Sequence, residues 1–362
     1  MAATLAVPSR SGAIERARER GLAVVAALPY HYPRALLRAH RCHTVEVWAP
    51  AVAVDSGARH FQAYTCGLIT RGTAFLLDGG LDSVDAVLVP HGCDALQGMG
   101  SVLTDFVADR PPVLTFYPPR GRRDVDRDYL VAELRALADR LADVTGHRPD
   151  ADDWQEALAL EEAADAALAD LYAHRTELAL TDREFYTLVR AREYLLAEDM
   201  VEATTVVPRG PARQRGVGLV LSGILAEPLE LFDRIDEAGA HVAADDLSTG
   251  TRRLLPPAAT AAPADPYERL ADRLMSGPPD PTRTDPVTAR AAHLIGLLQR
   301  SGAAGVLAYD PTFCEPELFY LPLLREHLAA AGYPLLHVEV EPGTPLPTQT
   351  VTRIEAFVET LS

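Results

Sequence analysis

Lysine is absent from this chain: all 34 basic residues are arginine. A genome rich in G and C accounts for that bias, yet the absence still excludes mechanisms. Without lysine there is no Schiff base, no attachment point for pyridoxal phosphate and no phosphate-loop lysine. Any step driven by ATP must then be carried out by another protein. Positive charge is scarce as well. With 51 acidic residues the formal net charge is -17, which argues against a phosphate-backbone partner, so no nucleic acid is expected. No apolar run approaches the roughly 20 residues that span a bilayer. The stretch Met1 to Arg10 has no long apolar core and is followed by the charged run Ile14 to Arg20, unlike a secretory signal. The expectation is a cytoplasmic protein without membrane contact. Cysteine is also sparse, at four residues. In a reducing compartment disulfides are disfavoured and cysteines more often bind metal or do chemistry.

What is present is a chain of 362 residues, 48% apolar. That length is long for one core and predicts two compact domains. Ala23 to Ala27 reads as a buried strand, Pro33 to Ala39 as a helix opened by proline, and Val45 to Trp48 as the next strand. Gly67 to Leu77 reads as a helix, Asp85 to Val89 as a strand, Asp94 to Val107 as a helix and Val113 to Tyr117 as a strand. Strands alternating with helices imply a parallel sheet. From Arg127 to about Val206 the strand signal gives way to long Ala-, Leu- and Glu-rich helices, closed by the turn Pro208 to Pro211.

The alternation then resumes. Gly218 to Leu221 and His241 to Ala244 read as strands around a helix from Pro228 to Glu237. A Pro-rich stretch from Pro256 to Pro286 holds one short helix, about Tyr267 to Met275. A helix from Ala289 to Arg300, a strand ahead of Cys314, a helix from Glu317 to Ala331, a strand from Leu335 to Val340 and a closing helix from Thr352 to Leu361 complete the chain. The fold class is α/β: two Rossmann-like or flavodoxin-like parallel-sheet domains joined by a helical segment. The expected boundaries are 1–125, 126–213 for the helical connector, and 214–362.

Cys66, Cys93 and Cys314 each stand after an apolar, strand-like run or at the head of a helix-like one. Such a position exposes the sulfur and surrounds it with free backbone N–H groups, which suits a thiolate or an iron–sulfur cluster. Ligands in open parallel sheets bind beyond the carboxyl ends of the strands, so two facing domains would bring the Cys93 and Cys314 turns to one cleft. Cys66, just before the Cys93 strand, can reach it too. Spacing alone leaves two alternatives: free cysteines are commonly buried small hydrophobes, and a zinc site of three cysteines with His91 or His60 uses the same ligand types. Close pairs of the C-x2-C kind, usual for zinc, do not occur.

From about Ala23 to the C-terminus the chain resembles the 2-hydroxyacyl-CoA dehydratase and class I benzoyl-CoA reductase family, in the form of the 2-hydroxyglutaryl-CoA dehydratase D-component. The resemblance is carried, in order, by Pro33 to Leu37, Cys66 with Arg71, Val89 to Leu96, Ala244 to Arg252, Phe313 to Phe319 and Thr352 to Glu359. It implies that Cys66, Cys93 and Cys314 fill the positions of three ligands to a 4Fe-4S cluster, leaving one iron open. It further implies a heterodimer with a paralogous subunit and a separate ATP-hydrolysing iron–sulfur activator that delivers one low-potential electron. The implied chemistry is a lyase reaction on an acyl-CoA. One-electron reduction of the thioester to a ketyl radical precedes loss of hydroxide and of a β-proton, and departure of the electron then leaves an enoyl-CoA. Within the family the runner-up is reduction of an aryl-CoA, as in benzoyl-CoA reductase, and a subunit that only relays electrons is a further alternative. The chain departs from the family at His40-Arg41-Cys42-His43, where many relatives have small residues, which puts the substrate end of the site in question.

Other residues carry weaker signals. Arg120, Arg122 and Arg123, or Arg252 and Arg253, are placed to grip coenzyme A phosphates, against the simpler reading of a solvated arginine patch. His40, His43 and His91 titrate in the right range for acid–base work, but such histidines are more often surface or core residues, and none is assigned a catalytic role. Cys42 reads as structural, in a short link. Asp152, Asp153, Glu161 and Glu162 read as a solvated helix face.

Overall fold

Two four-stranded sheets, each wholly parallel, form the two lobes of the computed structural model, which describes residues 7–28, 31–48, 50, 52–106, 111–211, 215–256 and 264–362. In the first lobe β1 (Ala23–Ala27), β2 (Cys42–Glu46), β3 (Ala86–Pro90) and β4 (Val113–Phe116) are ordered β2-β1-β3-β4. In the second, β5 (Val217–Gly223), β6 (Ala240–Leu247), β7 (Gly305–Pro311) and β8 (Leu335–Val340) are ordered β6-β5-β7-β8. The plan is the same in both. The architecture is α/β with two Rossmann-like or flavodoxin-like domains, as the alternation of strands and helices predicts. Residues 1–6, Val107, the 213/214 boundary and part of the Pro-rich stretch, 257–263, lie outside the described residues.

The central strands are buried on both faces and are accordingly runs of apolar residues: β1 is Ala-Val-Val-Ala-Ala and β3 is Ala-Val-Leu-Val-Pro. One face of the first sheet is covered by the helices Gly67–Leu77 and Asp94–Phe106, whose Leu68, Leu76, Met99 and Leu103 join Val87 and Val89 in one apolar cluster. The other face packs against helices Arg34–Ala39 and Asp124–Thr145. Helix Pro266–Met275, which follows β6 in the chain, returns to this same cluster through Leu270, Ala271 and Leu274.

The segment between the lobes is helical as expected, but its residues join the cores of both lobes. In the 23-residue helix Ala151–Ala173, Trp154, Ala157 and Leu158 enter the first-lobe cluster and Ala164, Leu168 and Leu171 the second-lobe cluster. That span explains one correction. Glu161 is not on a solvated face: it is 8% exposed and paired with Arg192 where the helix passes between the lobes. Glu162 pairs with Arg269 and Asp153 with His147.

A second correction concerns β2, which runs over Cys42–Glu46 and not from Val45 to Trp48. Arg41 adopts a left-handed φ of 57°, turning the chain sharply into the strand. Cys42 is thus a strand residue, 2% exposed, whose thiol donates to the His40 carbonyl at 3.6 Å. Burial pushes that thiol up to about 12, so its role is structural, as read, although it does not lie in a link.

Candidate functional site

The carboxyl ends of both sheets open on one cavity of about 410 Å³. Cys66, Cys93 and Cys314 all line it. Cys66 and Cys314 also share one buried apolar cluster, with Cys93 packed against it. Cys66 is the N-cap of helix Gly67–Leu77 and Cys314 that of helix Glu315–Ala330, while Cys93 immediately precedes helix Asp94–Phe106. Cys93 follows Pro90 at the end of β3 by three residues, and Cys314 follows Pro311 at the end of β7 by the same interval. The two turns are equivalent because β3 and β7 occupy the same place in the two sheets, beside the point where strand order reverses. Two of the cysteines come from the first lobe and one from the second.

The local electrostatics are those of buried thiols facing one another. Cys66 and Cys314 are 8% and 6% exposed, so the sequence expectation of exposed sulfurs is corrected: they open on an internal cavity and not on bulk water. Burial pushes the Cys66 thiol up to about 12, with Cys93 adding to the rise; the N–H groups of Leu68 and Ile69 act against it. Burial likewise raises Cys93, opposed by the N–H groups of Leu96 and Ala95. Cys314 is raised as well, by burial and then by Cys66, Asp310 and Glu317. Each sulfur therefore sits over first-turn N–H groups, as its position before a helix predicts, but in surroundings so apolar that a thiolate needs a cation beside it. Three cysteine sulfurs that line one cavity, each near first-turn N–H groups, are a donor set of the kind that a metal–sulfur group takes.

Phe313, the residue before Cys314, has a left-handed φ of 63°. An aromatic residue is uncommon in that region. The conformation carries the chain from β7 into the helix within three residues and sets Phe313, 46% exposed, at the cavity wall. On the far side, Gly67 allows close approach of the second lobe: a Cβ there would sit 2.3 Å from Oε1 of Glu341. Arg71 is 9% exposed, donates to the Val52 carbonyl at 2.9 Å and lies 3.7 Å from Glu341.

Behind the cavity lies a buried ionic network. Arg252 forks onto Asp246 at 3.0 and 2.9 Å and reaches Glu317 at 2.7 Å, while Arg290 reaches Glu317 at 2.6 Å. Glu317 belongs to the first turn of the helix that Cys314 caps. A second hub, Glu46, accepts from Tyr32 at 2.9 Å, Trp48 at 2.5 Å, Arg34, and Arg253 at 3.1 and 3.2 Å. Its carboxyl is raised by burial but lowered more by Arg253 and Arg34, and stands at about 2.

The remaining sequence candidates fall elsewhere. Arg252 is 1% exposed and fully engaged, so it is neither a solvated residue nor a free phosphate ligand, and Arg253 is committed to Glu46. Arg122 pairs with Asp285 at 2.8 Å and donates to the Gly277 and Pro278 carbonyls, fastening the lobes together. Arg120 pairs with Asp94 and Arg123 with Asp126. None of these arginines lines the cavity. His40 and His43 are 1% and 3% exposed and do not line it either; the unusual His40 to His43 stretch forms the entry to β2. His91 packs edge-on against Tyr117, with ring centroids 5.3 Å apart. Neither His60 nor His91 lines the cavity. Among the described residues no three His, Cys, Asp or Glu side chains gather about a point as a single metal ion requires.

Sequence reasoning missed most of the cavity wall, including Trp48, Phe61, Tyr64, Ile224, Ser248 and Phe319. Tyr64 and Phe313 stand next to the motif cysteines, and the ends of β2 and β6 supply Trp48 and Ser248, so strand ends were the available signal. The Glu46 hub left no local mark.

Three similarities bear on this geometry. The chain is 20% identical over 352 residues to the (R)-phenyllactyl-CoA dehydratase beta subunit of Clostridium sporogenes, covering 95% of this chain and 93% of that protein. It is 25% identical over 359 residues to the beta subunit of (R)-2-hydroxyglutaryl-CoA dehydratase from Acidaminococcus fermentans, covering 95% and 94%. It is 23% identical over 335 residues to a benzoyl-CoA reductase subunit from Thauera aromatica, covering 86% and 84%. The family model described as 2-hydroxyglutaryl-CoA dehydratase, D-component, matches residues 29–361, and the chain, with its cysteine-lined cavity between two parallel sheets, belongs to that family of dehydratase-type enzyme subunits.

Proposed function

We propose that this chain is the iron–sulfur subunit of a radical 2-hydroxyacyl-CoA dehydratase, with Cys66, Cys93 and Cys314 holding a 4Fe-4S cluster between the lobes. The observation that carries the proposal is the convergence of these three cysteines, from both lobes, on one cavity in a chain of this family. A cubane places each thiolate on a different iron, so its ligands need not share the single point that a lone ion demands. When bound, the cluster supplies one-electron reduction of a thioester carbonyl and an iron free to take a substrate oxygen. The protein's part is to hold the three sulfurs, to aim first-turn N–H groups at them and to exclude water with the apolar wall. Ser248, 6% exposed, accepts from Arg252 and keeps its hydroxyl proton for an oxygen of an acyl group.

The proposal includes a heterodimer with a paralogous subunit, a separate ATP-hydrolysing iron–sulfur activator and a cytoplasmic, reducing location. The relatives are themselves named as single subunits of larger dehydratases and of a reductase, which supports a partner for this chain. The absence of lysine supports a separate ATPase. Similarity to the benzoyl-CoA reductase relative favours aryl-CoA reduction as the second reading. Anaerobic purification followed by iron and acid-labile sulfide analysis tests the cluster: about four of each per chain is expected, and iron-free material overturns it. Incubation with the partner, the activator and a 2-hydroxyacyl-CoA then separates the readings. Enoyl-CoA formation supports the dehydratase, and reduction of an aryl-CoA in its place supports the reductase.

A further inference from the structure

We propose that Glu317, gripped by Arg252 and Arg290, is a positioning residue that acts through Cys314: it aims a backbone N–H at the sulfur and, with its two arginines, sets the redox potential of the group held there. The inference rests on the reading of Cys66, Cys93 and Cys314 as cluster ligands and adds the residues that tune that cluster. Glu317 lies in the first turn of helix Glu315–Ala330, which Cys314 caps. Its N–H bonds to the Cys314 sulfur, and its carboxylate is among the charges felt there. An acidic side chain at a helix start commonly faces water and serves its own helix. Glu317 is instead 5% exposed and engaged by residues from other elements of the second lobe.

Arg252, in the turn Thr251–Arg253 after β6, donates to Oε1 of Glu317 at 2.7 Å, and Arg290, from helix Val287–Ser301, meets Oε2 at 2.6 Å. Both arginines are 1% exposed and are shared with Asp246 near the end of β6. Ser222 of β5 donates to Asp246 at 3.0 Å and accepts from Arg290 at 3.2 Å. Buried charges are weakly screened, so removing one member leaves its partner's charge to act on the neighbouring sulfur. The potential of an iron–sulfur group follows the net charge around it and the hydrogen bonds to its sulfurs. Asp310, the other buried carboxylate near Cys314, pairs with His337 at 3.3 Å. The carboxylates felt at the first-lobe sulfurs are open to water: Asp94 and Glu315 at Cys93, and Glu341 at Cys66. Water damps such charges. Electrostatic control of the site therefore lies in the second lobe, behind Cys314.

The test is a redox titration of the full-length, anaerobically purified chain with a low-potential chemical reductant, followed by electron paramagnetic resonance. It is run at pH 8, above the value of about 6 to which Asp310 is pushed, so that this neighbouring carboxylate is charged. Glu317→Gln keeps the backbone N–H and one acceptor oxygen but removes a negative charge. It is expected to favour uptake of one electron by about tenfold, a rise of about 59 mV. Arg290→Met removes a positive charge and is expected to lower the potential. The double variant loses one charge of each sign and should return toward the wild-type value, whereas two structural defects would add. Should a single variant fail to fold, as circular dichroism will show, the double variant, which strands no charge, is compared with the other. Shifts of one sign in the two single variants, an unmoved potential in Glu317→Gln, a double variant further from wild type than either single, or loss of iron from folded Glu317→Gln overturns the inference. Wild-type chain that holds no iron is a different result: it removes the cluster reading itself.

Discussion

Glu46, at the end of β2 in the first lobe, holds Nη1 of Arg253 from the second lobe between both of its carboxylate oxygens, at 3.2 and 3.1 Å. Arg34, Tyr32 and Trp48 converge on the same carboxylate, which is 3% exposed. Replacing it by alanine strands two buried guanidinium groups. Glu46→Ala is expected to destabilise the protein by about 3–5 kcal/mol, and Glu46→Gln by less, because the amide retains one acceptor oxygen. Chemical denaturation of the two variants checks the order; equal stability of wild type and Glu46→Ala would remove Glu46 from any role in joining the lobes.

The same residue gives an acid dependence. Its carboxyl titrates at about 2 in the folded chain against 4.5 without these partners. The folded state binds this proton more weakly than the unfolded state, so the stabilisation is complete above pH 4.5 and is lost as pH falls toward 2. The loss amounts to about 3 kcal/mol. A Glu46→Gln chain should show a correspondingly shallower decline in stability between those pH values.

Asp310, on β7 just ahead of Cys314, has the opposite sign. It is 3% exposed, and burial, reinforced by Glu317, pushes its carboxyl up to about 6 from an ordinary 3.8, while His337 at 3.3 Å opposes the rise. The folded state binds this proton more tightly, so stability is highest below pH 3.8, declines as pH rises to about 6 and stays lowered above it. Asp310→Asn should raise the unfolding free energy at pH 8 by about 1–3 kcal/mol and change it little near pH 4. A loss of stability at pH 8 would mean that the carboxylate is needed in its charged form.

Cysteine substitutions separate ligands from core. Serine at 66, 93 or 314 is expected to lower iron and sulfide content severely in anaerobically prepared protein, whereas Cys42→Ala, which does not line the cavity, should retain both. Iron retained after all three single substitutions would contradict the assignment. Loss on Cys42→Ala, with the fold intact by circular dichroism, would place a fourth sulfur in it.

Arg252 offers a further check. It is the shared partner of Asp246 and Glu317 and is 1% exposed. Arg252→Met leaves two carboxylates with less compensation and should cost about 3–5 kcal/mol by denaturant titration. Pairing it with Asp246→Asn should recover part of that loss; strict additivity of the two changes would argue that they do not share a network.

Elements that repeat a strong local pattern could be read from the chain. The apolar runs of β1 and β3 and the helix starts at Cys66, Cys93 and Cys314 were legible because burial on both sheet faces and helix capping leave marks within a few residues. The edge strand β2 was misplaced because its Cys-His-Thr-Val-Glu sequence alternates weakly and ends in a charge that is buried by partners 207 residues away. Glu161 was misread for the same reason: in the sequence it is one carboxylate among several, and only Arg192 across the lobe junction explains its burial. Long-range ion pairing has no period, so it leaves no pattern to detect.

The division of the sulfur donors, two before residue 100 and one after residue 300, has a kinetic side. A group held by all three, as proposed, would be fully gripped only after both halves of the polypeptide have been made and have met. Resistance to chelators or to oxygen should therefore follow the strength of distant fastenings such as Arg122 with Asp285 more closely than the rigidity of the turns bearing the sulfurs.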